Sequence, residues 1–172
     1  LESTLTELEV QAALAVGDSV SGKNLAGLNL ALVDLSGADF SHCDLRYTSF
    51  EQASLMGVNF RSANLGGANL SKASLSWSDF SHAILRWAVL TESNLANSKF
   101  ISCHALESNF EDANIEHCDF KYADLRRCLF SRANINDSNF SFSNLANANF
   151  EEVDISKGVF TESNRHGTIF EL

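Results

Sequence analysis

The chain has 172 residues, enough for one domain, is 45% apolar without a single proline, and carries a net charge of −10. That charge argues against a nucleic-acid-binding role and gives no support for attraction to an anionic membrane. Four cysteines, widely scattered, do not make a disulfide scaffold. The longest uncharged apolar run near the start, VQAALAVG, is far too short to span a bilayer. No basic segment precedes it, so it does not read as a signal peptide. The first residue is not Met, as expected of a fragment or a processed form.

Residues 1–22 form the first expected element, an N-terminal cap. The stretch TLTE at 4–7 is a capping-box pattern, in which Thr4 accepts from the Glu7 amide and Glu7 reaches back. Leu5, Leu8, Ala12 and Val16 then share a helical face, and Gly17 suits a helix stop. The expectation is a helix over 4–16 that lies on the first coil of the chain beyond residue 22.

From residue 23 the chain reads in fives. A large apolar residue stands third in each block: Leu25, Leu30, Leu35, Phe40, Leu45, Phe50, Leu55, Phe60, and so on in unbroken register to Phe170. Ala105 and Arg165 are the exceptions. Two positions earlier the residue is small (Cys43, Ala53, Ala63, Ala68), and the one just before is Asn, Asp or Ser (Asn64, Asn69, Asp79, Asn94). A spacing of five fits neither the 3.6 of a helix nor the 2 of a strand. Every fourth block repeats a finer pattern. Phe40, Phe60, Phe80, Phe100, Phe120, Phe140 and Phe160 are all Phe, and Leu35, Leu55, Leu75, Leu95, Ile115, Ile135 and Ile155 are all aliphatic. If twenty residues make one turn, these become vertical stacks at the inter-strand spacing of roughly 4.8 Å.

The motif A-(N/D)-(L/F)-x-x, repeated in register over 23–170, resembles the pentapeptide-repeat family. The resemblance implies an all-β solenoid, a right-handed quadrilateral β-helix with a short N-terminal capping α-helix. It implies about 7.5 coils and a rod of roughly 36 Å, with 171–172 as the C-terminal end.

The repeat leaves little room for chemistry. Cys43, Cys103, Cys118 and Cys128 all take the small inward position, so four free, buried thiols are expected. His42 and His82 share a column two coils apart, roughly 10 Å, too far for one metal ion. No Ser, His and Asp fall together as a triad. The chain therefore reads as no enzyme, with no catalytic residue, metal or cofactor.

Three surface features remain. Glu51, Glu92, Glu111, Asp112, Glu151 and Glu152 make one face acidic, with Lys72 and Arg132 interspersed, beside a mildly basic face holding Arg46, Arg86, Arg126 and Arg127. An acidic face is either a solvated surface with ladder pairing or a mimic of the DNA backbone. The quinolone-resistance members of the resembled family are acidic dimeric rods that occupy the DNA site of DNA gyrase and other type II topoisomerases. This chain departs from them in lacking a C-terminal dimerisation helix and interrupting loops, and its basic face spoils a uniform mimic. The second feature is AILRWAVL, where Ile84 and Val89 replace Asn/Asp with Trp87 between them and Leu106 one coil on. Gly66 and Gly67, one coil back, leave room for an indole, so Trp87 either seals the rod there or edges a partner surface. The third is the far end. Ile155, Phe160 and Phe170 face inward there, with Val159, Ile169 and Leu172 beside them, and a tail-to-tail homodimer is expected unless a downstream segment covers it.

The expected function is a non-catalytic protein-interaction or scaffold module presenting a rigid rod surface to a protein partner; the alternative is the topoisomerase-binding DNA mimic. Neither direct nucleic-acid contact nor membrane contact is expected, and the expected setting is soluble, in the bacterial cytoplasm.

Overall fold

A computed structural model describes residues 5–170. The chain begins with helix α1, Glu7–Ala15. Its capping box is Thr6 and Glu9: the Glu9 amide donates to Thr6 Oγ1 at 3.3 Å and the Thr6 amide donates to Glu9 Oε2 at 2.7 Å. The box expected from Thr4 and Glu7 is thus displaced by two residues, and Thr4 itself lies outside the described residues. Two tethers explain the shift. The Leu5 amide donates to the Asn24 carbonyl at 3.3 Å, and Glu7 Oε1 accepts the Asn29 amide at 3.0 Å, so both residues are committed to the first coil. Gly17, at φ 80°, ends the helix as expected, with the Gly17 and Asp18 amides donating back to the Leu14 and Ala13 carbonyls.

The expected helix face is corrected. Leu8, Ala12 and Val16 are exposed, Leu8 at 76% and Val16 at 74%. Val10 is fully buried instead, with Leu5, Ala13 and Leu14 packed on the core. Val10, Ala13 and Leu14 are also spaced as one stripe, and the Leu5 and Glu7 tethers select it.

Beyond the cap, a four-sided coil climbs by one level every twenty residues, in parallel bridges such as Asn24↔Asp44, Asn64↔Ile84 and Asn149↔Ile169. Each strand is a single bridge residue. The backbone of a five-residue block accounts for its own donors. At Leu55 the block donates upward twice, from Leu55 N to Ser74 O and from Gly57 N to Ser76 O, and downward once, from Ser54 N to Val33 O. The corner is closed by Val58 N donating to Leu55 O. The fifth donor is met by the Asn/Asp side chain, as where the Arg61 amide donates to Asn59 Oδ1 and the Ser71 amide to Asn69 Oδ1. This bond is the reason the repeat holds Asn or Asp just before the large residue.

The second residue of each corner except that at Lys157 has a left-handed backbone, including His42 (φ 59°), Trp77 (φ 66°) and Glu92 (φ 56°). That conformation costs a residue with a Cβ about 1–2 kcal/mol. It is offset by the amide's bond to the next coil, as from His42 N to Arg61 O at 3.0 Å.

The large inward residues form the core. Phe60, Phe80, Phe100 and Phe120 stack with ring centroids 4.6–4.9 Å apart, and a second column, Phe110, Phe130 and Phe150, stacks at 4.9 and 4.7 Å. The columns meet edge to face, as for Phe100 and Phe110 at 5.9 Å. The small inward position often holds a hydroxyl or thiol, and most of these donate to a backbone carbonyl. Thr48, Ser78, Ser98, Cys118 and Cys128 each donate to the carbonyl twenty-three residues earlier, at 2.8–3.0 Å. The four cysteines are free and buried.

The regular coil breaks once. Ile155–Lys157 is a 3-10 turn capped by Asp154, and Ile155 is only half-buried rather than fully inward. Gly158 follows in the small position, where a Cβ would lie 2.9 Å from Ile135 Cδ1 and from the Phe160 ring. In the last described coil Phe160 and Phe170 are half-buried while Val159 and Ile169 are exposed; Leu172 lies outside the described residues.

Candidate functional site

One corner of the rod carries exposed apolar residues at two successive bridge positions with a tryptophan between them. Ile84 sits at a bridge position on one face, Trp87 at the corner and Val89 at the next bridge position, with exposures of 43%, 48% and 37%. Leu106 lies half-buried at the same corner one coil on. Leu129, two coils above Val89 in its bridge column, is exposed as well. Sequence reasoning passed over Leu129, although the same sign, an apolar residue at the Asn/Asp position, marks it.

The replacements have a backbone consequence. With Ile84 and Val89 in place of Asn/Asp, the amides of Arg86 and Thr91 lose the side-chain acceptor that their equivalents have, such as Asp44 for Arg46. The corner thus presents polar backbone next to apolar side chains.

Trp87 is fixed in place. Its Nε1–H donates to Glu107 Oε2 at 2.8 Å, Arg127 donates to Glu107 Oε1 at 3.0 Å, and the Arg86 guanidinium lies 4.1 Å from the indole centroid. The hydrogen bonds from Trp87 and then Arg127 hold the Glu107 carboxyl below its ordinary range. The room expected for this indole over Gly66 and Gly67 is used by another ring. A Cβ on Gly67 would meet the Tyr47 ring at 2.6 Å, so Tyr47 lies over the glycine from the coil before, and Trp87 leans the other way, to Glu107. Trp87 therefore does not seal the rod. On another corner column Tyr122 and Phe142 stack on each other, with ring centroids 5.2 Å apart.

The acidic residues do not form one uniform field. Glu92 lies 3.6 Å from Lys72 Nζ, and Asp112 takes both ends of the Arg132 fork at 2.8 Å, which holds its carboxyl low. Glu111 accepts from Asn109 Nδ2 at 2.9 Å and Glu51 faces the Gln52 amide. Among the described residues no cation comes within ion-pair distance of Glu51, Glu111, Glu151 or Glu152.

No group of three His, Cys, Asp or Glu among the described residues is placed to hold a metal. A cleft of about 560 Å³ between α1 and the first coils is lined by Leu14, Val33 and Leu35 with Asp18, Asp34 and Asp39, and holds no Lys, Arg, His or Cys. Burial pushes all four thiols up, Cys118 to about 12, so none is poised as a nucleophile. No described helix is long and apolar enough to cross a membrane.

The square coil and its five-residue rule match the family description "Pentapeptide repeats (8 copies)" over residues 34–71 and 68–104, and "Pentapeptide repeat region" over 88–160. The chain belongs to the pentapeptide-repeat family. The expected right-handed quadrilateral β-helix is the fold of this pentapeptide-repeat protein. Solved pentapeptide-repeat structures are similar to it. One, from the thylakoid lumen of Arabidopsis thaliana, is 34% identical over 63% of this chain and 68% of its own, with a TM-score of 0.40. HetL, involved in heterocyst differentiation regulation in Nostoc sp. strain PCC 7120, is 20% identical over 96% of this chain and 94% of its own, with a TM-score of 0.29. QnrB1, a plasmid-mediated fluoroquinolone resistance protein, is 21% identical over 86% of this chain and 82% of its own, with a TM-score of 0.41. No curated protein matches the chain significantly.

Proposed function

We propose that this pentapeptide-repeat protein is a non-catalytic interaction module, and that the corner of Ile84, Trp87, Val89 and Leu106 is where a partner protein binds. One observation carries the reading: at this corner two successive bridge positions, Ile84 and Val89, hold exposed apolar side chains in place of the usual Asn or Asp, on either side of a tryptophan bonded to Glu107 and covered by Arg86. A pre-ordered Trp and Arg beside aliphatic groups is the composition of an interface hot spot. The test is affinity capture from the source cell with the wild-type chain and with Trp87→Asn/Val89→Asn. The retained partner is expected to fall at least about tenfold with the variant. Equal retention by both would reject the corner.

The second reading, a DNA mimic acting on a type II topoisomerase, draws support from the net charge of −10 and from Glu51, Glu111, Glu151 and Glu152, which have no cation within ion-pair distance among the described residues. The Lys72–Glu92 and Asp112–Arg132 pairs and the arginines of the adjoining face count against it. DNA gyrase supercoiling, with and without a quinolone, separates the two: the contact-corner reading expects no effect of the chain, and the mimic expects inhibition or protection.

A further inference from the structure

Three arginines climb one column of the rod at two-coil intervals: Arg46, Arg86 and Arg126. Two of them are closed within the chain by an identical device. Asp44 accepts Arg46 Nε at 2.8 Å, Nη2 at 2.6 Å and the Arg46 amide at 3.3 Å. Asp124 treats Arg126 in the same way, at 2.7, 2.7 and 3.4 Å. At the middle level the carboxylate is missing, because Ile84 occupies the position of Asp44 and Asp124. Arg86 has no carboxylate within ion-pair distance among the described residues. Its guanidinium is instead laid against the Trp87 ring.

A guanidinium stacked on an aromatic face keeps its N–H edges available while most of its rotamer freedom is already lost. The same corner carries the apolar Ile84, Val89 and Leu106, and Glu107, which Arg86 helps to hold ionised through space, stays beyond ion-pair distance of it, so the fork is open to a carboxylate from outside. The rest of the corner's charge is satisfied: Glu107 is taken by Trp87 and Arg127. From this we infer that Arg86 recognises an aspartate or glutamate side chain of the partner, set between apolar residues in a polypeptide segment, and that the partner's carboxylate replaces the one the repeat supplies at Asp44 and Asp124. This rests on the corner being a contact surface and adds the chemistry of what it contacts. An acidic side chain is the occupant because the chain's two closed copies of the device use one.

The experiment is an NMR titration of the ¹⁵N-labelled chain with a blocked peptide, acetyl-Leu-Asp-Leu-Leu-amide, and with its Asn analogue. The Trp87 indole N–H and the Arg86 Nε–H are the reporters. The Asp peptide is expected to shift both saturably and to bind at least about tenfold more tightly than the Asn peptide, with the difference shrinking as salt rises. Ile84→Asp rebuilds the internal device and is expected to abolish the preference for Asp while leaving the melting temperature unchanged or higher. Arg86→Gln is the second variant: it is expected to equalise the two peptides while keeping their apolar contact. Equal binding of the Asp and Asn peptides to the wild-type chain, no binding of either, or a preference that survives Ile84→Asp or Arg86→Gln overturns the inference. The first of these, combined with loss of both peptides in Trp87→Asn/Val89→Asn, leaves the corner standing as a contact surface and removes only its acidic specificity.

Discussion

Phe100→Leu is the perturbation that most directly probes how the core holds together. The Phe100 side chain is fully buried, with its centroid 4.7 Å from Phe80 and 4.6 Å from Phe120 and its plane within 6° and 11° of theirs. It also meets the edge of Phe110 at 5.9 Å. An aromatic pair contributes about 0.5–1.5 kcal/mol beyond the area it buries, so losing two stacked partners costs about 1–3 kcal/mol, and reshaping a packed site adds up to about 1 kcal/mol. A total of about 1–4 kcal/mol is expected from urea unfolding followed by circular dichroism. The coupling is more informative than the total. In a solenoid each coil touches only its neighbours, so a double-mutant cycle of Phe100→Leu with Phe80→Leu should give a coupling of about 0.5–1.5 kcal/mol. The cycle with Phe140→Leu, two coils away, should be additive to within about 0.5 kcal/mol. Equal coupling in both cycles, or a loss below about 1 kcal/mol for Phe100→Leu, would refute the stack as a sum of neighbour contacts.

Four further outcomes are expected. A thiol-reactive dye should label none of the four cysteines in the native chain within minutes and all four in denaturant, since burial raises every thiol; a denatured count of two or zero would mean disulfides. Asp44 and Asp124 are held below their ordinary range by hydrogen bonds from Arg46 and Arg126. Their contribution is therefore complete above the unfolded value of about 3.9 and is lost as pH falls through the lower folded value. Thermal melts should show wild type exceeding Arg46→Gln/Arg126→Gln near neutrality, with the gap closing in acid; a gap that widens in acid would contradict the assignment. Gly158→Ala should cost about 1–3 kcal/mol by overpacking against Ile135 and Phe160, read as a lower urea midpoint. For the last described coil we propose a tail-to-tail homodimer through Ile155, Val159, Phe160, Ile169 and Phe170, supported by the exposure of Val159 and Ile169. Light scattering at tens of micromolar should give a dimer mass that Phe160→Glu halves, and a monomer from the unaltered chain rejects it.

The period of twenty was legible because one large side chain per block must share the centre of the same square, which leaves Phe over Phe and aliphatic over aliphatic. The small position was legible as small, but not its bonding. Cys118 reads as a small inward residue, while its donation to a carbonyl one coil away, which Ser78 and Ser98 share, depends on where the coil sets that oxygen. The face of α1 was not legible because Leu8, Val10, Ala12, Ala13 and Val16 are apolar all round, and only the tethers at Leu5 and Glu7 decide between the stripes. The apolar corner announced itself through Ile84 and Val89. The direction of Trp87 did not, since Gly67 below and Glu107 above both offered a place, and Tyr47, another coil away, had already taken the first.

Photocrosslinking in the source cell tests the contact corner most directly. A photoreactive phenylalanine analogue at position 106, beside Trp87, is compared with the same analogue at position 152 in the acidic column. The account predicts a discrete adduct with a partner protein from position 106, abolished by Trp87→Asn/Val89→Asn, and none from position 152. An adduct from position 152 alone would contradict it and place the partner on the acidic face.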